Sequence, residues 1–174
     1  QAPQDFIDRM TAYMLKAVRE AKVHTSWLTT NQPYEDALVA FVARVLGTGG
    51  PKFIPAFVPF QQRIAAAGVV NSLAQVTLKV ASPGVPDFYQ GTELWDLSLV
   101  DPDNRRPVDF DGRRQLLDRL TDDYEDMLTH WEDGRVKLFV TTRALEVRRE
   151  LPQVFVGGDY TPLRGETSVA GDAG

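Results

Sequence analysis

The sequence predicts a mainly α-helical protein with few short strands, in the order of elements that a (β/α) barrel repeats. Apolar residues recur at intervals of three and four in several long stretches, which indicates amphipathic helices. Pro83 and Pro86 then end a helical stretch, because proline lacks a backbone N–H and disfavours helix at the residue before it. A short apolar run and a long polar loop follow, as at the end of a barrel strand.

Two amphipathic helices are predicted at the beginning of the chain. The first covers about 3–23, where apolar side chains recur on one face and charged ones on the other. The second begins at Asn31 or Gln32, because Pro33 suits a first helical turn, and runs to about residue 46. Between them, Trp27 is interpreted as the anchor of an interhelical loop.

Three prolines spaced four residues apart follow the glycine-rich break at 47–50. Pro51, Pro55 and Pro59 each remove one backbone hydrogen bond, so we expect an irregular or broken helix there. A compact helix should follow at 69–81, with Asn71 or Ser72 as its cap. A buried strand is expected at 85–89, and Gly91 should permit a backbone turn directly after it.

The loop after this strand carries the candidate binding residues. Asp101, Asp103, Asn104, Arg105 and Arg106 crowd between two prolines, and paired carboxylates, amides and guanidinium groups suit the hydroxyls of a sugar. Because the loops after barrel strands face the active site, the predicted substrate-binding residues are Tyr89, Gln90, Glu93, Asp101, Asn104 and Arg105. The alternative is that Arg105 and Arg106 form internal salt bridges to Asp101, Asp103 or Asp109.

Helical patterns also dominate the last third of the chain. Two short helices are predicted between residues 110 and 134, and Gly112 and Gly134 are expected to interrupt the helical pattern. A longer helix should follow from about residue 135, and its basic cluster is interpreted as a solvated surface: Arg143, Arg148 and Arg149. Residues 154–158 resemble a strand and turn, and 166–174 are expected to be poorly ordered.

Composition excludes several classes of function. A net charge of −5 argues against a nucleic-acid-binding protein, and no apolar run approaches the roughly 20 residues of a membrane span. His24 and His130 lie far apart, so we expect no metal site, and no motif implies a cofactor. The chain has no cysteine, which is compatible with a cytoplasmic location.

Three runs resemble a known family. GVPDFYQGTE at 84–93 resembles the last barrel strand of the α-amylase-type glycoside hydrolases. ELWDLSLVDPDNRRPVD at 93–109 is similar to one branch of that family, the maltooligosyl trehalose synthases, and so is KAVREAKVHTSW at 16–27. In that branch the run at 16–27 lies in an enlarged helical region, where Trp27 is a secondary candidate for stacking on a glucose ring.

The resemblance implies a C-terminal part of a (β/α)8 barrel. Residues 1–150 would supply its final helices and last strand, with a helical extension at about 3–66, and 151–174 would begin a C-terminal β-domain. The implied enzyme converts the reducing-end α-1,4 linkage of a maltooligosaccharide to an α,α-1,1 linkage by intramolecular transglycosylation.

The resemblance also implies that catalytic residues lie elsewhere. Members of the family use an Asp and a Glu on middle strands, helped by an Asp in a Thr-His-Asp motif, and this sequence contains no such motif. We therefore expect no catalytic residue here, an upstream barrel as partner, and an inactive chain by itself. The alternatives are a maltodextrin-hydrolysing amylase-type enzyme and a non-catalytic helical module that binds a glucan or a partner.

Overall fold

The structure is a computed structural model that describes residues 2–47 and 52–163. Its α-helices are α1 (Gln4–Ala21), α2 (Gln32–Leu46), α3 (Phe53–Ala81), α4 (Phe110–Asp118), α5 (Tyr124–Thr129), α6 (Arg135–Glu150) and α7 (Pro152–Phe155). The prediction of a mainly helical protein is confirmed. The prediction for 166–174 lies outside the described residues.

Helices α1 and α2 pack against each other as the periodicity predicts. The side chain of Asn31 accepts a hydrogen bond from the backbone N–H of Tyr34 at 3.3 Å, and Pro33 occupies the first turn of α2. The carboxylate of Glu35 is buried between the two helices, where Arg19 donates to it at 2.9 Å and Thr25 at 2.7 Å. A buried ion pair therefore fastens this hairpin.

Helix α3 is continuous over 29 residues, so the prediction of a broken helix was wrong. Pro55 lies in the first turn, where backbone N–H groups have no helical partner in any case. Pro59 removes one hydrogen bond inside the helix, and the long stretch that follows it supplies enough others. Asn71 and Ser72 lie in the interior of α3 and do not cap a separate helix.

Large apolar side chains stay exposed along α3, among them Phe53, Phe57, Phe60, Ile64 and Val70. The sequence predicted no membrane-spanning run, whereas α3 is long and apolar enough to cross a membrane by length and composition. Only 11% of its most apolar window is buried within the structure. One face of α3 does pack on α6, where Val76 and Val80 are buried.

The two predicted strands are corrected by the structure. Residues 85–89 follow α3 as irregular chain, and Val85 is 95% exposed where burial was expected. Residues 152–155 form the short helix α7. A strand needs a neighbour to pair its backbone groups, and among residues 2–47 and 52–163 none is available. The relation to a barrel stays a prediction.

The helices after the loop agree with the sequence pattern, except that Gly112 lies inside α4 and does not end a helix. Asp109 and Asp123 cap α4 and α5 by accepting from the backbone N–H groups of Gly112 and Asp126. Gly134 adopts a left-handed φ of 80° and is the N-cap residue of α6. Arg148 is not a solvated surface residue, because its guanidinium donates to three carbonyls at the end of α3, those of Val80, Ser82 and Gly84.

Candidate functional site

The polar loop 101–106 is held against α1 by two basic side chains. Arg9 donates to both carboxylate oxygens of Asp103, from Nε at 2.7 Å and from Nη2 at 2.8 Å. Lys16, two turns further along α1, donates to the backbone carbonyl of Asp101. Since residues seven apart share one helix face, this face of α1 fixes the position of the loop.

Within the loop, arginine side chains pair with the aspartates as the alternative interpretation predicted. Arg105 forms a salt bridge with Asp101, and Arg106 lies 3.4 Å from a carboxylate oxygen of Asp103. The backbone N–H of Leu99 also donates to Asp103 at 2.6 Å. These donors, and Arg9 above all, hold the pKa of Asp103 well below its usual range. The Asp103 carboxylate is therefore ionised and held in a fixed geometry.

Arg113 is a second anchor, which holds the turn at residues 91–93 against α4. Arg113 of α4 donates to the Glu93 carboxylate at 3.0 Å and to the carbonyls of Gly91 and Asp109, also at 3.0 Å. Gly91 has a φ of 90°, which confirms the predicted turn. A Cβ atom there would lie 3.2 Å from Val108, so the turn is also tightly packed. Glu93 is thus engaged in an internal ion pair.

An open cleft of about 380 Å³ lies between these two anchors. Gln90 and Asn104 both line it, so the structure brings together two of the predicted binding residues from opposite ends of the segment. Trp95, Asp96 and Arg106 line it as well. An aromatic ring beside amide, carboxylate and guanidinium groups is the combination that binds a polyhydroxylated ligand with apolar ring faces.

Tyr89 lies apart from Gln90, in a neighbouring cleft of about 370 Å³. This cleft contains Lys79, Asp87 and Lys137. Burial lowers the pKa of Lys137, and the positive charge of Lys79 lowers it further. Glu93, Asp101 and Arg105 line neither cleft, so the six predicted residues are spread over a wider surface.

Sequence reasoning missed the residues that organise this surface. Arg9 contacts a residue 94 positions later, and Arg113 contacts one 20 positions earlier. In the sequence each is an ordinary basic residue of an amphipathic helix, so no local signal identifies it. Across 2–47 and 52–163, no group of three or more His, Cys, Asp or Glu residues is placed to hold a metal ion.

The chain is similar to maltooligosyl trehalose synthases, as its sequence runs predicted. It is 39% identical over 155 residues to a protein of Mycobacterium tuberculosis described as a maltooligosyl trehalose synthase, covering 89% of this chain and 18% of that protein. A crystal structure of a maltooligosyl trehalose synthase superposes with a TM-score of 0.89 at 40% identity, covering 94% of this chain and 22% of the other.

Two further solved structures are also similar to this chain. The hypothetical maltooligosyl trehalose synthase of Sulfolobus tokodaii superposes with a TM-score of 0.81 at 38% identity over 94% of this chain. The maltooligosyltrehalose synthase of Arthrobacter ramosus superposes with a TM-score of 0.74 at 41% identity over 86% of this chain. This chain covers 22% of the former and 19% of the latter. No family model matches. The chain therefore spans about a fifth of the length of the relatives it matches.

Proposed function

We propose that this chain is the segment of a maltooligosyl trehalose synthase that completes its barrel and forms part of its substrate-binding wall. The intact enzyme would convert the reducing-end α-1,4 linkage of a maltooligosaccharide to an α,α-1,1 linkage. The observation that carries the proposal is the agreement of sequence and fold with such enzymes over 94% of the chain at 40% identity. The absence of cysteine is compatible with an enzyme of the cytoplasm.

The loop 101–106 suits the demands of this reaction. An intramolecular transglycosylase must retain the released glucose and exclude water while the sugar turns and attacks through its anomeric hydroxyl. The paired side chains of Asp101 and Arg105, with the amide of Asn104 in the cleft, would hold such hydroxyls in place. Gln90 would bind in the same cleft as Asn104 and Tyr89 in the neighbouring cleft, while Glu93 would contribute from outside both.

The catalytic carboxylates would come from the rest of the enzyme. Retaining glycosidic chemistry needs a nucleophile and a general acid/base roughly 5 Å apart. The described carboxylates of the loop form ion pairs with Arg9, Arg105 and Arg106, and Glu93 forms one with Arg113. Such pairing suits a binding role better than nucleophilic attack. The chain by itself should therefore be inactive.

The exposed face of α3 would receive the missing part of the barrel. Phe53 and Phe57 are each 44% exposed and Phe60 is 58% exposed, on a helix that packs only one face on α6. Contiguous apolar surface of this kind marks an interface with another protein segment. Residues 85–89 would gain the strand partners they lack, which accounts for their irregular conformation here.

Incubation with maltopentaose tests the proposal. The chain alone and a full-length enzyme containing it are compared for loss of reducing ends and for release of glucose. We expect loss of reducing ends without free glucose in the full-length sample only. Free glucose or shortened maltodextrins as the main product would replace the proposal with a hydrolase. Saccharide binding without turnover in either sample would favour a binding module.

A further inference from the structure

We propose that Trp27 is a glucan-binding platform, which stacks on a glucose ring of the chain held at the polar loop 101–106. The inference rests on the function proposed above and extends its binding surface to the α1–α2 hairpin. Its ligand class is an α-1,4-linked glucan, recognised by the apolar face of a pyranose ring.

The indole of Trp27 is both available and oriented. The residue is 57% exposed, although a large aromatic side chain is normally covered by the protein. The guanidinium carbon of Arg19 lies 4.9 Å from the centroid of the ring, over its face. A cation on one face holds the ring in a fixed orientation and leaves a flat apolar surface to solvent.

The position of Arg19 is fixed by the buried pair inside the hairpin. Glu35, which is 2% exposed, binds Arg19 through both carboxylate oxygens. Thr25 donates to the same carboxylate at 2.7 Å and accepts from the backbone N–H of Asn31 at 3.0 Å. The network therefore ties both ends of the loop that carries Trp27 to the helices. A preorganised ring loses little conformational entropy when a ligand binds.

The platform and the polar loop are both fastened to α1. Lys16 donates to the carbonyl of Asp101, and Arg19, which contacts the ring of Trp27, is three residues later on the same helix. Their attachment points on α1 are about 4.5 Å apart along the helix axis, and we infer that one oligosaccharide contacts both the loop and the ring. Hydrogen-bonding groups at one point and an aromatic face at the next are the two components of a sugar subsite.

Titration of maltopentaose into a full-length enzyme that contains this chain, followed by calorimetry, tests the inference. Trp27→Ala should weaken binding about tenfold, since one stacked ring is lost. Trp27→Phe should recover most of the affinity. The matched control is Leu28→Ala, because Leu28 is the next residue and is 99% exposed; it should change affinity by less than about twofold. Circular dichroism verifies that each variant is folded.

The outcomes separate this inference from the proposed function. Unchanged affinity of the full-length enzyme in Trp27→Ala, or an equal loss in Leu28→Ala, would each overturn the platform. None of these results alters the product analysis of the full-length enzyme, which decides the reaction class independently. Conversely, a hydrolytic product from the full-length enzyme together with a Trp27 effect on affinity would retain the platform and replace the proposed reaction.

Discussion

Arg9 and Asp103 form a two-point ion pair across 94 residues of sequence, with Nε–Oδ1 at 2.7 Å and Nη2–Oδ2 at 2.8 Å. The Asp103 side chain is only 10% exposed and that of Arg9 is 20% exposed. The parallel geometry fixes orientation as well as distance. The loop that carries most of the candidate binding residues is thus positioned by the first helix of the chain.

Arg9→Ala should loosen the attachment of the loop 101–106 to α1. Asp103 would keep its bond from the N–H of Leu99 and its contact with Arg106 but would lose both bonds from Arg9. Local opening should become more frequent, and amide hydrogen exchange at Leu99 and Asp103 should accelerate about tenfold. Arg44→Ala, at an exposed site in the last turn of α2, is the control and should leave both rates unchanged. Unchanged rates in Arg9→Ala would show that Arg9 does not hold the loop.

The stability of the chain should fall at acidic pH through Glu35. The hydrogen bond from Arg19, with a further bond from Thr25, lowers the pKa of Glu35 from 4.5 to about 2. A carboxyl whose pKa is lowered by folding stabilises the protein above its unfolded value and loses that contribution as pH falls through the folded value. The free energy of unfolding should therefore decrease between about pH 4.5 and 2.

Chemical denaturation across this pH range measures the effect. Glu35→Gln should be less stable than the unmodified chain at neutral pH, because Arg19 loses its charged partner, and should show a flatter pH dependence. Asp36→Asn is the control, since Asp36 is exposed and bonds only to Gln32 among the described contacts. A pH profile of Glu35→Gln that matches the unmodified chain would contradict the assignment.

Two glycine substitutions should act in opposite directions. Gly134 has a φ of 80°, and a Cβ atom there would lie 3.1 Å from Leu94 and 3.2 Å from the backbone nitrogen of Trp95. Gly134→Ala should therefore cost about 1–3 kcal/mol of stability. Gly68 lies inside α3 with nothing within 4 Å of a new Cβ, so Gly68→Ala should stabilise by about 0.5–1 kcal/mol. Urea denaturation compares the two, and a stabilised Gly134→Ala would refute the strained turn.

Local patterns were sufficient to predict the helices but not the connections between them. Asn31 and Pro33 mark the start of α2 because caps and first-turn prolines act within a few residues. The continuity of α3 through Pro59 depends on the sum over 29 residues, which no single proline reveals. The predicted strand at 85–89 failed because strand pairing is nonlocal.

In the candidate site, too, the local features could be predicted from the sequence and the long-range contacts could not. The segment 84–109 was identified from its motif and composition, and the Arg105–Asp101 and Arg106–Asp103 pairs follow from residues three and four apart. The anchors Arg9, Arg113 and Arg148 bind groups 94, 20 and more than 60 residues away. Such contacts exist only once the helices are packed, so the sequence pattern places these arginines on ordinary polar faces.

Arg148 offers a direct test of such a hidden contact. Its guanidinium donates to the carbonyls of Val80 at 2.6 Å and Ser82 at 3.0 Å and also to Gly84, where α3 ends and the irregular segment begins. Removing a charged donor from these carbonyls should cost about 1–3 kcal/mol in Arg148→Ala. Arg149 is the next residue and is exposed, so Arg149→Ala should change stability by no more than about 0.5 kcal/mol. Thermal and urea unfolding of the two variants give the comparison. Equal stabilities would restore the solvated-surface interpretation that the sequence favoured, whereas a selective loss in Arg148→Ala would establish that α6 fastens the end of α3.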